Sequence, residues 1–158
     1  MSNVFAREEL AIILRKLQAD GKKVVFTNGV FDIIHRGHVE YLGRAGELGD
    51  CLVVAINSDA SVKRIKGNKR PIVSENDRAF VVAHLKSVDY VCVFGEDTPY
   101  DTIKELQPDV LVKGADWKAQ DVVGKDIVEA RGGRVVTIKY LDGRSTTNII
   151  NKILEVMQ

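Results

Sequence analysis

Cross-links, membrane anchors and an excess of one charge are all scarce in this sequence, and each scarcity removes a class of function. Among 158 residues there are two cysteines and three prolines. Cys51 and Cys92 each sit inside an apolar, β-like run, where a free thiol behaves as a small hydrophobe. Buried, reduced thiols are therefore expected instead of a disulfide or a cysteine metal site. No apolar stretch approaches the ~20 residues a membrane helix needs, and runs such as Leu52-Val53-Val54-Ala55-Ile56 are strand-sized. Arg15 and Lys16 interrupt the first apolar run, which spoils a signal-peptide core. The expectation is a cytoplasmic protein without membrane contact. Lys plus Arg number 23 against 22 Asp plus Glu, a formal charge of +1. No bulk field would draw such a molecule onto nucleic acid or an anionic surface, so any anion it binds is held by a local site. Hydrophobic residues make up 45% and charged residues 28%, ordinary globular usage that rules out intrinsic disorder. With no repeat, low-complexity tract or Pro/Gly/Ser-rich linker, residues 1–158 read as one domain.

What the sequence does contain is a regular alternation of patterns. Leu10, Ile13, Leu14 and Leu17 recur at helical spacing, predicting a lead-in helix from about Arg7 to Asp20, closed by Gly21. Five strand-sized runs follow, at Val24 to Thr27, Cys51 to Asn57, Val88 to Phe94, Asp109 to Lys113 and Arg134 to Lys139. Between and after them lie helix-like segments at 38–48, 60–66, 75–85, 100–106, 122–131 and 146–156. Strands alternating with helices predict a Rossmann-like, doubly wound α/β fold, with a five-stranded parallel sheet and helices on both faces. In such sheets ligands bind beyond the carboxyl ends of the strands, where strand order reverses. If the strands are parallel, the polar loops that begin at Asn28, Asn57, Gly114 and Asp142 share that edge.

The first of these loops ends in His35-Arg36-Gly37-His38 at a helix start, where unpaired amides and the helix dipole favour phosphate. Both histidines could donate to one anion, or be satisfied surface groups. Gly29 would serve the tight turn after the strand, and Gly37 would let the backbone approach a ligand. Zinc needs three or four ligands, and with the cysteines mid-strand and His84 in another helix the pattern argues against a protein-held metal. Neither a P-loop nor a Gly-x-Gly-x-x-Gly turn is present. Lys66 and Arg70, flanked by Gly67 and Pro71, could reach over the strand edge to neutralise phosphates. Arg78 either contributes from below or pairs with Glu75 on the surface at i,i+3 spacing. Downstream, Ser145-Thr146-Thr147 supplies three hydroxyls at a second helix start, and capping would use one of them.

His35-x-Gly37-His38 together with Ser145-Thr146-Thr147-Asn148-Ile149 resembles the cytidylyltransferase-like nucleotidyltransferase superfamily. The stretches Thr27 to Asp32, Asn57 to Ser61, Lys66-Gly67, Glu96 to Pro99, Pro108 to Gly114 and Ser145 to Ile150 are similar to its heptose 1-phosphate adenylyltransferase branch. The resemblance runs from about Lys22 to the C-terminus. It implies ATP, carried with Mg2+, and a sugar 1-phosphate as the partners, with a homo-oligomer as a further expectation. The branch is often fused to a sugar kinase for which this length has no room, so a stand-alone transferase with a separate kinase in its pathway is implied. Arg144 departs from the small or apolar residue common in relatives.

By the same resemblance, His35 and His38 would stabilise the α-phosphate during transfer, and Lys66 would neutralise substrate phosphates. Asn28, Gly29, Val30 and Phe31 would meet the nucleotide, and Ser145, Thr146 and Thr147 would hold its triphosphate. Asp32, Asn57 and Asp59 would contact the sugar or its phosphate, or form turns. Gly114, Asp116 and Trp117 would shape the base pocket, with packing as the alternative for Trp117. The chemistry would be in-line attack of the sugar phosphate on the α-phosphorus, with pyrophosphate leaving. A phosphate monoester whose second pKa is near ~6 is already mostly dianionic at neutral pH, so no general base is required. Other cytidylyl, guanylyl or adenylyl transfers remain alternatives, as does a non-catalytic nucleotide-binding protein on the same fold. The basic run from Lys63 to Arg70 is the sole feature favouring nucleic acid.

Overall fold

Each predicted run becomes an element in the computed structural model, which describes residues 3–115, 118–140, 143 and 145–157. Helix α1 (Arg7–Ala19) buries Leu10, Ala11 and Leu14. It stops where Gly21 takes a φ of +78° and its amide turns back onto the Gln18 carbonyl, the left-handed ending glycine permits. The strands are β1 (Val24–Gly29), β2 (Cys51–Asn57), β3 (Tyr90–Phe94), β4 (Val110–Gly114) and β5 (Arg134–Ile138). All pairings are parallel, in the order β3-β2-β1-β4-β5. The chain winds outward from β1 to β3, then returns to place β4 on the other side of β1. The reversal of order therefore falls between β1 and β4.

The intervening helices are α2 (Arg36–Gly46), α3 (Asp59–Lys66), α4 (Glu75–Ala83), α5 (Tyr100–Leu106), α6 (Lys125–Ala130) and α7 (Thr146–Val156). The predicted helix over 122–131 is shorter than expected. Val122 is extended and Gly124 has a φ of +88°, so the helix starts at Lys125. A β-carbon on Gly124 would also lie 2.6 Å from Ile103 Cδ1.

Alternation along the strands divides the core in two. Val25, Leu52, Val54, Ile56 and Val91 pack with Tyr41, Leu42 and Ala45 of α2 and with Ala79 and Val82 of α4. Val24, Phe26, Val53, Ala55 and Cys92 face the other way, onto Leu10 and Leu14 of α1, Ile103 of α5 and Val128 of α6. Every residue of β2 is buried, as expected for a sheet covered on both faces. Both thiols are buried and unbonded. Burial, with nearby carboxylates, pushes each up to about 12.

At the amino edge of the sheet, three aspartates fix the strands to one another. Asp50 accepts the amide of Lys23 at 2.7 Å, Asp89 that of Leu52 at 2.7 Å and Asp109 that of Val24 at 2.8 Å. In each case the residue leading into one strand satisfies the start of its neighbour. Asp109 also accepts from Gln18 at 3.1 Å, tying α1 to β4. Asp109→Ala leaves the Val24 amide without its charged acceptor, and is expected to lower unfolding free energy by about 1–3 kcal/mol. Urea denaturation would check this, and ligand binding at the opposite edge should be unaffected.

Candidate active site

At the carboxyl edge, β1 runs out through Gly29 and Val30 into Phe31, a residue with a φ of +50°. The left-handed turn thus falls on Phe31 and not on Gly29, correcting the expectation from sequence. Gly29 is required for space, since a β-carbon there would lie 2.9 Å from Phe31 Cε2. The Phe31 ring is buried and meets the His38 imidazole edge-on at 5.2 Å between centroids.

His35 is the N-cap of α2, its Nδ1 accepting the Gly37 amide at 3.1 Å. That bond uses the Gly37 amide inside the helix start. With Nδ1 accepting, the proton of a neutral His35 resides on Nε2. One turn on, His38 stacks on His35 at 3.8 Å between centroids, the rings inclined by 23°. His38 Nδ1 is buried with no hydrogen-bond partner among the described residues. Burial, and then the neighbouring His35, push the His38 pKa down to about 4. His38 is therefore neutral at physiological pH, not a standing cation.

The two imidazoles stand on adjoining clefts. One, of about 260 Å³, receives Asn28 to Asp32 from the end of β1, His38 from α2, Lys66 from the end of α3, Arg70 from the segment after it, Tyr140 after β5, and Thr146 and Thr147 from α7. The other, of about 320 Å³, lies between His35 and Arg36 on one side and Ser145, Asn148 and Lys152 on the other. The hydroxyl triplet is divided between them. Ser145 caps α7 by accepting the Asn148 amide at 3.1 Å, while Thr146 and Thr147 line the first cleft, Thr146 donating to the Ile33 carbonyl at 3.4 Å. Lys66 is exposed on that cleft.

Three residues expected to touch substrate are not among those lining the cleft and bond within the protein. Arg78 is 1% exposed. It donates to the carbonyls of Val73, Val30 and Asn57 and to Asp59 Oδ1, at 2.6 to 2.9 Å. It is neither a surface partner of Glu75 nor a phosphate ligand, because it is buried and four of its five donor hydrogens are taken inside the protein. Glu75 instead accepts the Asp59 amide at 2.6 Å. Asn57 is buried and donates to Ser61 Oγ, and Asp59 holds Arg78. Gly114 is buried as the last residue of β4. Asp116, Trp117 and Arg144 lie outside the described residues.

Two residues that line the cleft or bond to its lining were not anticipated. Lys113 of β4 donates from Nζ to Asn28 Oδ1 of β1, across the line where strand order reverses. A lysine ending the apolar run Val110-Leu111-Val112 was the available signal. Tyr140 stacks on Tyr41 at 4.9 Å between centroids, and Tyr41 in turn shares a 2.8 Å hydrogen bond with Thr27 of β1. Nothing in local spacing pairs those tyrosines, which lie on α2 and beyond β5.

The neutral His38 gives a direct expectation. In NMR titration of the free protein its ring should titrate near pH 4, and a midpoint near the ordinary value would contradict the burial described. Because the folded pKa is depressed, the associated stability is complete above the ordinary histidine value of about 6.5. It erodes as pH falls from there toward about 4, where the unfolded chain binds the extra proton.

A family model described as cytidylyltransferase-like matches residues 26–152. Among curated relatives, the bifunctional protein HldE of Trichlorobacter lovleyi is 53% identical over 98% of this chain, and HldE of Geobacter metallireducens is 57% identical over 92%. The chain spans only 31% and 30% of the length of these two relatives. The lipopolysaccharide core biosynthesis protein of Thermoplasma volcanium is 35% identical, with a TM-score of 0.66 over 77% of this chain and 100% of that one. Pantoate-β-alanine ligase of Francisella tularensis, in complex with β-γ ATP and β-alanine, shares the fold alone. It has 16% identity and a TM-score of 0.62 over 98% of this chain and 79% of that one. The matched span contains both the histidine pair and the hydroxyl triplet, and the chain belongs to the cytidylyltransferase-like family of nucleotidyltransferases.

Proposed function

We propose that this nucleotidyltransferase moves the adenylyl group of ATP to D-glycero-β-D-manno-heptose 1-phosphate, giving ADP-heptose and pyrophosphate. The observation that carries the transfer chemistry is the meeting of His38, Lys66, Arg70 and the α7 hydroxyls on one cleft at the β1/β4 reversal. The choice of heptose and ATP is supported by the similarity to HldE over nearly the whole chain and by the resemblance of the strand-end phrases to the heptose branch.

A phosphate oxygen of the sugar 1-phosphate attacks the α-phosphorus of ATP. The new P–O bond forms as the bond to the bridging oxygen of the β-phosphate breaks, and pyrophosphate departs with that electron pair. The nucleophile is already deprotonated, so the protein's task is alignment and charge stabilisation. Thr146 and Thr147, at the positive end of α7, suit the triphosphate. His38, neutral and desolvated, donates to the α-phosphate oxygens as their charge grows. His35 braces His38 by stacking, and Lys66 adds the positive charge that the neutral imidazole lacks. Mg2+ enters as part of the nucleotide substrate.

Pyrophosphate release would be measured with ATP, GTP and CTP, each offered with either anomer of the heptose 1-phosphate. Release with ATP and the β-anomer is expected. Release with another nucleotide or anomer would overturn the substrate assignment, and silence across the panel would overturn the heptose reading. His38→Ala is expected to lower kcat by about 10²–10³ while ATP binding, followed by calorimetry, is largely kept. Unchanged turnover would remove His38 from the reaction.

A further inference from the structure

Asp32 is more fully engaged than a group that meets a sugar should be. It is 3% exposed. Its carboxylate accepts the amides of Ile72 and Val73 at 2.9 and 2.8 Å and the Nε–H of Arg70 at 2.6 Å. Burial alone would raise its pKa, but the Val73 and Ile72 amides and Arg70 together overcome this and hold it below the ordinary carboxylate value. Its charge is thus satisfied within the protein.

Arg70 is the partner left with something to give. Its side chain is 18% exposed and borders the cleft beside Lys66 and His38. Among the described residues its guanidinium makes no other hydrogen bond, so both Nη amino groups remain as donors. A guanidinium is planar, and fixing Nε on a buried carboxylate sets the direction of the Nη fork. That fork matches two oxygens of a phosphate. The pair is neutral overall, so it adds geometry, and Lys66 supplies the net charge.

Strand order indicates which phosphate it would serve. Lys66 and Arg70 follow β2, whereas the α7 hydroxyls follow β5, and these strands flank β1 and β4 from opposite sides. A triphosphate held at α7 leaves the segment after β2 for the second phosphorylated substrate. We infer that Asp32 is a positioning residue that fixes Arg70 as a preformed fork for the acceptor's phosphate, and that it does not itself contact the sugar. The inference rests on the adenylyl-transfer reading for the identity of the acceptor.

The test compares Arg70→Lys, Asp32→Asn and the double variant in the pyrophosphate-release assay. Arg70→Lys keeps the charge and loses the fork. Asp32→Asn keeps the shape but cannot satisfy three donors. Each single change is expected to raise KM for the sugar 1-phosphate by about tenfold or more, with KM for ATP within about twofold. The double variant should be no worse than the worse single one, because both changes break the same interaction. Additive losses, or equal rises in both KM values, would show that Asp32 merely supports the fold and would overturn the inference. If Asp32→Asn does not fold, Arg70→Gln serves, since Asp32 keeps its two amide bonds there. Should the unaltered protein be inactive, titration with inorganic phosphate separates the two readings. Binding that Arg70→Gln abolishes would uphold the fork while the acceptor assignment fails, and binding that survives would overturn the fork.

Discussion

The carboxyl edge of the sheet depends on one buried guanidinium. Arg78 reaches from α4 to the carbonyls of Val30 beyond β1, Asn57 at the end of β2 and Val73 in the loop before its own helix, and it closes the arrangement on Asp59. A charge so enclosed is costly unless every donor is matched. Here four of the five donor hydrogens have acceptors among the described residues, three of them loop or strand-end carbonyls. The segments that carry Phe31, Asp32 and Arg70 are joined to the sheet through this residue, so the cleft's geometry is set from behind.

The two edges of the sheet divide the labour. At the amino edge, Asp50, Asp89 and Asp109 each bond to the start of a neighbouring strand and secure register. At the carboxyl edge, polar groups line the cleft or are held by partners beside it. The stacked histidines fit this pattern. Two imidazoles at such close range resist being charged together, and burial keeps His38 neutral.

Much of this was legible in the sequence because it is written in short-range pattern. The helical spacing of Leu10 and Leu14, the continuous apolar run of β2 and the alternation of strands with helices each correspond to the element observed. The site's outline was equally visible, since parallel strands bring their following loops to one edge whatever the details. The roles that were misread are those set by contacts between residues far apart in the chain. Arg78 and Glu75 are three residues apart on a helix, yet Arg78 is turned inward by Val30 and Asn57, 48 and 21 residues away. The partners of Asp32 were likewise hidden, because its three donors come from residues 70 to 73. The partner of the Gly37 amide was not foreseen because histidine is an uncommon N-cap, and only the folded geometry shows His35 taking it.

The two buried thiols have a practical side. Alkylating reagents react with thiolates, and with both native cysteines pushed up to about 12 almost none is present at neutral pH. One cysteine introduced on an exposed surface near the cleft would be the reactive thiol in the chain. A fluorophore could be attached there site-selectively, to report on movement around the cleft, without first stripping Cys51 and Cys92 from the core that they help to fill.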